Sequence, residues 1–338
     1  MRTVLVTGGA GFIGSHLVDQ LLESGASVRV LDNLSTGSLA NLQAAAERHA
    51  RPGGALNGTR LEVVIGDVRD RQIVRKALLN VKHVFHFAAL PASAASVTDA
   101  NDVHSVNVEG TLNLLHGALT QGVWRVVLAS CASVYGTPDR VPVPEDAPVR
   151  PGDLFAASKV AAETYCQAFH ARYQLETVSL RYFSVYGPRQ RPTADGNVVP
   201  ILLEALRSGH AVRNQCDRDL DDFTYVGDAV SAALAAARAP RAGGRIINIG
   251  SGQMVAARDV WGILTDLLGT VMVGGGSPDR GLPPRQMCAQ TTLATELLGF
   301  VPRVSLVAGL ARLVASVGAT EDAEQRALAR IGPDTGAS

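Results

Sequence analysis

Three glycines and one carboxylate near the N-terminus define the first chemistry in this chain. Gly8, Gly11 and Gly14 recur at every third position of Thr7-Gly8-Gly9-Ala10-Gly11-Phe12-Ile13-Gly14. Glycines so spaced let backbone approach a pyrophosphate, and the free N–H groups where a helix begins bind it. Asp32 ends the apolar run 26–31. A carboxylate there accepts from both hydroxyls of an adenosine ribose and repels a 2′-phosphate, which selects NAD over NADP. Arg189, Arg191, Arg218, Arg280 and Arg285 are cations for a phosphate-bearing ligand.

That chemistry needs a strand before the glycines and a helix after them. Residues 2–6 form a short β-branched run, as a buried parallel strand does, and 15–22 follow with a helical pattern. Strand, glycine turn and helix in succession turn a weak glycine motif into a specific one. Strands and helices go on alternating, which implies an α/β fold with a doubly wound parallel sheet. Further strands are expected at 61–65, 81–87, 124–129, 176–183 and 245–250, and helices at 72–79, from about 107, from 155 to about 173, and at 197–208. The fourth strand opens into Ala88-Ala89-Leu90, small residues that let the chain pass under a cofactor. His86 lies inside that apolar strand and reads as a packed core histidine. Arg51-Pro52-Gly53-Gly54 reads as a surface insertion, and the chain beyond 318 as a short helix and polar tail.

Bulk properties narrow the function classes. The 338 residues carry a formal net charge of zero, with 46% hydrophobic and 18% charged residues. No basic excess points to nucleic acid, and no apolar run approaches the roughly 20 residues that span a bilayer. Cys131, Cys166, Cys216 and Cys288 show no metal-ligand spacing and suit a reducing cytoplasm. The N-terminus reads directly as a strand, with no signal peptide ahead of it.

The segment Thr7–Gly14, taken with Asp32-Asn33-Leu34-Ser35-Thr36-Gly37, resembles the extended short-chain dehydrogenase/reductase family, which includes the NAD-dependent nucleotide-sugar epimerases and dehydratases. The resemblance extends to about residue 315. It implies a Rossmann domain over 1–183 with returning segments near 222–250, a substrate-binding lobe over 184–317, and a tail over 318–338. It implies NAD contacts from Gly8, Gly11, Phe12, Ile13, Gly14 and 32–37. Asp67 and Val68 would touch adenine, and Phe87, Ala88 and Ala89 would lie beneath the cofactor. Asn107 would brace the active-site loop, and Lys159 and Phe183 would complete the site. For the substrate it implies Ser184, Arg191, Asn197, Val198, Arg218 and Arg280, with a homodimer formed through the helices after Asn107 and from Phe155.

In the family a tyrosine takes a sugar hydroxyl proton, a lysine four residues later lowers its pKa, and a Ser or Thr bonds the same oxygen. Here Lys159 is kept, the tyrosine position is Phe155, and the Ser/Thr position is Cys131. Phenylalanine has no proton to exchange, and a thiol is a weak donor. Cys131 becomes a candidate base if a cofactor's charge and Lys159 lower its pKa. The family's arginine for the diphosphate falls on Asp221 and its base-stacking aromatic on Asn214, in a loop that reads as a solvated acidic turn. Leu282 and Gln290 stand where acids are usual. Ser184 with Arg191 is similar to members acting on UDP-hexuronates. Two readings follow: an epimerase/dehydratase-type enzyme with a tyrosine-free site, or an NAD-binding protein that has lost oxidoreduction.

Overall fold

The computed structural model describes residues 3–49, 60–91, 100–192, 198–208, 219–269 and 285–318. Its centre is a seven-stranded, all-parallel sheet built from β1 (Thr3–Thr7), β2 (Ser27–Asp32), β3 (Leu61–Ile65), β4 (Val81–His86), β5 (Arg125–Cys131), β6 (Glu176–Tyr182) and β7 (Arg245–Ile249). The strand order is β7-β6-β5-β4-β1-β2-β3. The order reverses direction between β1 and β4, which leaves a crevice at their carboxyl ends, where such sheets bind ligands. Val and Leu dominate the inner strands because both faces are covered.

Helices α1 (Phe12–Glu23), α2 (Ala40–His49), α3 (Arg71–Ala77), α4 (Ala100–His104) and α5 (Gly110–Thr120) lie between the early strands, and α6 (Leu154–Tyr173) joins β5 to β6. On one face of the sheet Val6 and Val30 pack with Leu17 and Leu21 of α1 and, further along, the sheet packs with Ala229, Ala233 and Ala236 of α7 (Val226–Arg238). That explains the many alanines: small side chains let α7 lie close to the sheet. The other face buries Leu5, Val84, Leu114 and Phe169 against α3, α5 and α6.

A separate apolar cluster contains Leu202, Leu203, Val260, Leu264, Leu310 and Val314. These come from helices over Val198–Ser208, Ala257–Leu268 and Leu306–Ser316. A short parallel pair, Val185–Tyr186 with Thr224–Tyr225, and an antiparallel pair, Leu220–Asp222 with Met254–Ala256, stand outside the main sheet. Strand starts and ends move from their expected positions by two residues or fewer, and 61–65 is unchanged. The expected surface insertion at 51–54 and the tail beyond 318 lie outside the described residues.

Candidate functional site

The glycine turn is shaped by its own backbone. Gly8 has φ of 68°, and a Cβ on it would stand 2.6 Å from Ala88 N, so the turn rests against the small residues that follow β4. Gly14 has no room either, because its Cβ would collide with Gly8 O. Gly8 N donates to Leu31 O at 2.9 Å, tying the turn to β2. Asp32 ends that strand and accepts from Ala10 N at 2.9 Å and from Leu34 N at 2.8 Å. Burial raises its pKa, while those two N–H groups favour the ionised form. Leu34 takes a left-handed φ of 60° to make its bond, and Gly37 packs where a Cβ would meet Ala10 backbone.

A cavity of about 1060 Å³ opens along the carboxyl ends of the strands. Gly8, Gly11, Phe12, Ile13, Gly14 and Asp32 line one end, joined by Asn33, Ser35, Thr36 and Val68. Phe87, Ala88, Ala89, Cys131, Phe155 and Lys159 line its middle, and Ser184, Arg191, Val198, Asp221 and Arg285 its far end. The turn, the carboxylate and the small residues thus fit a dinucleotide.

Several expected contacts fall elsewhere. The Phe183 side chain does not line the cavity; it is fully buried beside Tyr135, while its neighbours Tyr182 and Ser184 do line it. Alternation at the end of the strand turns Phe183 away. Asp67 is off the wall too: it takes two bonds from the Arg69 guanidinium, one from the Arg69 backbone N–H and one from Asn33, and the guanidinium holds its carboxyl at about 2. Leu34, Gly37 and Asn107 support the wall rather than form it. Asn197, Arg218 and Arg280 lie outside the described residues, as do Asn214 and Leu282.

Asn107 sits in a single π-type turn, Ser105–Glu109, of the kind often found at functional sites. Its side chain accepts from Leu90 N at 2.7 Å and donates to Leu90 O at 3.1 Å and Ser158 Oγ at 2.9 Å. It therefore pins the segment after β4 to α6. His86 extends this network. Thr111 Oγ1 donates to Asn107 O, so it accepts from His86 Nε2 at 3.0 Å, and His86 Nδ1 accepts from Thr7 Oγ1 at 2.6 Å. Complete burial lowers the His86 pKa to about 3. It is a neutral core histidine, as its place in an apolar strand implies.

Phe155 and Lys159 share one face of α6, which Asp153 caps by accepting from Ala156 N at 2.8 Å. Lys159 Nζ donates to Ala129 O at 2.9 Å and lies 5.3 Å from the Phe155 ring centre. Burial lowers its pKa. Cys131 ends β5 and shares a 2.8 Å hydrogen bond with Ser133, which also lines the cavity. Lys159 alone does not activate Cys131: burial pushes its thiol up more than Lys159 and Ser133 pull it down. Beneath β5, Glu163 accepts from Ser130 Oγ and pairs with Arg181 at 2.8 Å, with both charged residues buried.

The acidic stretch also differs from its expected form. Asp221 lies in a strand, is half-buried, and accepts from Arg285 at 2.8 Å, while Asp219 accepts from the Arg285 N–H at 2.8 Å. It is thus a charge-paired wall of the cavity rather than a solvated turn. Two like charges about 4 Å apart repel by roughly 4 kcal/mol at an effective dielectric near 20. The pair with Arg285 offsets the Asp221 charge at this wall. Sequence reasoning missed Ser133, Asp153 and Tyr182, and named no partners for Arg189; strand-end position is the signal that marks Ser133 and Tyr182.

The model of the NAD dependent epimerase/dehydratase family matches residues 4–250. A UDP-glucose 4-epimerase of Mycolicibacterium smegmatis is 37% identical over 317 residues, which cover 93% of this chain and 97% of that protein. The Thermus thermophilus UDP-glucose 4-epimerase, solved in complex with NAD, superposes with a TM-score of 0.79 at 33% identity, covering 94% of this chain and all of that one. MoeE5, solved with UDP-glucuronic acid and NAD, superposes at 0.77 with 33% identity, covering 93% and 98%.

Proposed function

The chain belongs to the NAD dependent epimerase/dehydratase family, and from that premise we propose that it binds NAD and acts on a UDP-hexose or UDP-hexuronate by transient oxidation at the sugar's C4. The observation that carries this reading is the continuous cavity, which joins the glycine turn and Asp32 to Lys159 and then to Ser184, Arg191 and Arg285. When bound, NAD supplies the acceptor and donor of the sugar's hydride. Gly8, Gly11 and Gly14 would admit its pyrophosphate, and Asp32 would accept from its adenosine ribose. Lys159 would hold the nicotinamide ribose, with its ammonium anchored on Ala129 O. Cys131 and Ser133 would bond the reacting oxygen, and Ser184 with Arg191 would meet the sugar, a hexuronate carboxylate being the best match for the arginine.

The position of the general base is filled by Phe155, which takes no proton. Phe155 and Asp221 favour a second reading, an NAD-binding sensor or scaffold in which oxidoreduction has been lost. A single-turnover absorbance measurement at the reduced-nicotinamide band separates the two. Protein with stoichiometric NAD meets a panel of UDP-, GDP- and TDP-sugars, uronates included, beside Phe155→Tyr. Reduced nicotinamide from the unmodified protein with one sugar establishes the enzyme and its substrate class. Reduction only by Phe155→Tyr shows that the phenylalanine blocks turnover, and reduction by neither while NAD binds supports the binding protein.

The same reading includes a homodimer through α5 and α6, supported by exposed Leu119, Leu154, Tyr165 and Tyr173 on those helices. Sedimentation of the full chain at twice the monomer mass would support it, and a monomer would refute it. We place the protein in the cytoplasm, a reducing compartment that suits the free thiols of Cys131, Cys166 and Cys288.

A further inference from the structure

Proton acceptors on the cavity wall are few. Among the described residues the lining carboxylates are Asp32, Asp153, Asp219 and Asp221, and no histidine joins them. Asp32 accepts from Ala10 N and Leu34 N at the glycine-turn end. Asp221 accepts from the Arg285 guanidinium and Asp219 from the Arg285 backbone N–H. Tyr182 turns its hydroxyl away, donating to Ala229 O at 3.4 Å. Burial pushes the Cys131 thiol up. The carboxylate that remains is Asp153, beside the position where a base is missing.

Asp153 lies two residues ahead of Phe155 and caps α6, the helix that carries both Phe155 and Lys159. Its Oδ1 accepts from Ala156 N at 2.8 Å. A carboxylate accepts through both oxygens, so the cap leaves Oδ2 to a ligand. Asp153 is exposed and lines the cavity with Phe155, Lys159, Cys131 and Ser133. An ion pair makes a carboxylate a weaker base. The nearby cations are spent elsewhere: Arg189 pairs with Asp19 at 2.7 Å, Arg285 with Asp221 at 2.8 Å, and Lys159 Nζ donates to Ala129 O.

We propose that Asp153 is the catalytic base that stands in for the missing tyrosine, its Oδ2 taking the proton of the sugar's C4 hydroxyl. This rests on the oxidoreductive reading above. As the O–H bond breaks towards Asp153, the C4–H bond breaks and its electron pair leaves as hydride to the nicotinamide of NAD. The sugar is oxidised to a C4 carbonyl and the nicotinamide is reduced. When the hydride returns, Asp153 gives the same proton back, so a full cycle consumes neither.

The test is single-turnover absorbance at the reduced-nicotinamide band with the sugar panel above. It compares the unmodified protein with Asp153→Asn, Asp153→Ser, and Asp153→Asn combined with Phe155→Tyr. Asparagine and serine still cap Ala156 N but are not bases, so circular dichroism and NAD affinity should not change. Reduction should slow by about 10²–10⁴ in both single variants, and the added tyrosine should restore it. Calorimetry with NADH present reads binding without turnover. There Asp153→Asn should bind the reacting sugar nucleotide roughly threefold to tenfold more weakly, because a charge-assisted bond becomes a neutral one. The matching nucleoside diphosphate should bind equally well. Asp153→Asn that reacts as fast as the unmodified protein overturns the base and leaves the oxidoreductive reading standing. If that variant does not fold, Asp153→Ser decides in the same way. A rate lost in step with NAD affinity also overturns the base, since Asp153 then only holds the start of α6. No reduction by the unmodified protein with any sugar overturns the oxidoreductive reading and the base with it.

Discussion

Phe155 and Lys159 lie one turn apart on α6, and their side chains meet at 5.3 Å inside the cavity. The geometry needed for a tyrosine–lysine pair is therefore present, and one hydroxyl is missing. Phe155→Tyr restores a group that exchanges protons, and a positioned general acid–base group is worth about 10²–10⁴ in rate. The expected outcome is a single-turnover rate higher by that range, with NAD affinity little changed. An unchanged rate would mean that the far end of the cavity, not Phe155, blocks reaction. His86 supports a second prediction at this scale. Its pKa is about 3 in the folded chain against an ordinary value near 6.5. Between those values the unfolded chain binds more protons, so stability rises with pH. The contribution is complete above about pH 6.5 and is lost as the pH falls towards 3. Urea unfolding of His86→Gln across pH 4–7 should show a shallower pH slope than the unmodified chain, whatever its absolute stability; an equal slope would assign the acid sensitivity to other groups.

The ends of β5 and β6 are held by Glu163 and Arg181, whose ion pair is buried and whose carboxylate also takes the Ser130 hydroxyl. Removing one partner of such a pair leaves the other charge uncompensated, at a cost of about 3–5 kcal/mol. Glu163→Gln should lower unfolding stability by that amount in denaturant titration, and a loss below about 1 kcal/mol would show that Arg181 re-pairs with water or Glu145. Local pattern alone reveals the strands, the glycine turn, Asp32 and the i, i+4 relation of Phe155 to Lys159. Each rests on neighbours in sequence, where hydrophobic period and helix geometry suffice. The pairs Glu163–Arg181, Arg189–Asp19 and Arg285–Asp221 join segments far apart in the chain, so no local pattern marks them. Asp221 read alone is a surface acid, and its partner becomes visible only when the fold brings Arg285 to it. Cys131 is legible as a substitution but not as a half-buried thiol on the cavity wall, because the depth at which a strand ends is a property of the whole sheet.

At the scale of the molecule, the cavity lies between two cores. One wall is the carboxyl edge of the sheet, and the other includes Leu202, Phe223 and Ala257, of which Leu202 and Phe223 belong to the second apolar cluster. A ligand that touches both walls binds only the folded arrangement, and at a hundredfold excess over Kd such binding adds about 2.7 kcal/mol of stability. NAD should therefore raise the melting temperature by a few degrees, and UDP should raise it separately from the far end. Asp32→Ala distinguishes the two ends. It removes the acceptor for Ala10 N and Leu34 N as well as for a ribose, so the ligand-free variant should melt lower. The informative quantity is the increment on adding ligand. The NAD increment should be largely lost in Asp32→Ala and the UDP increment retained, as measured by calorimetric scanning with each ligand in turn. Equal loss of both increments would mean that Asp32 supports the cavity as a whole, and retention of both would remove it from the cofactor site.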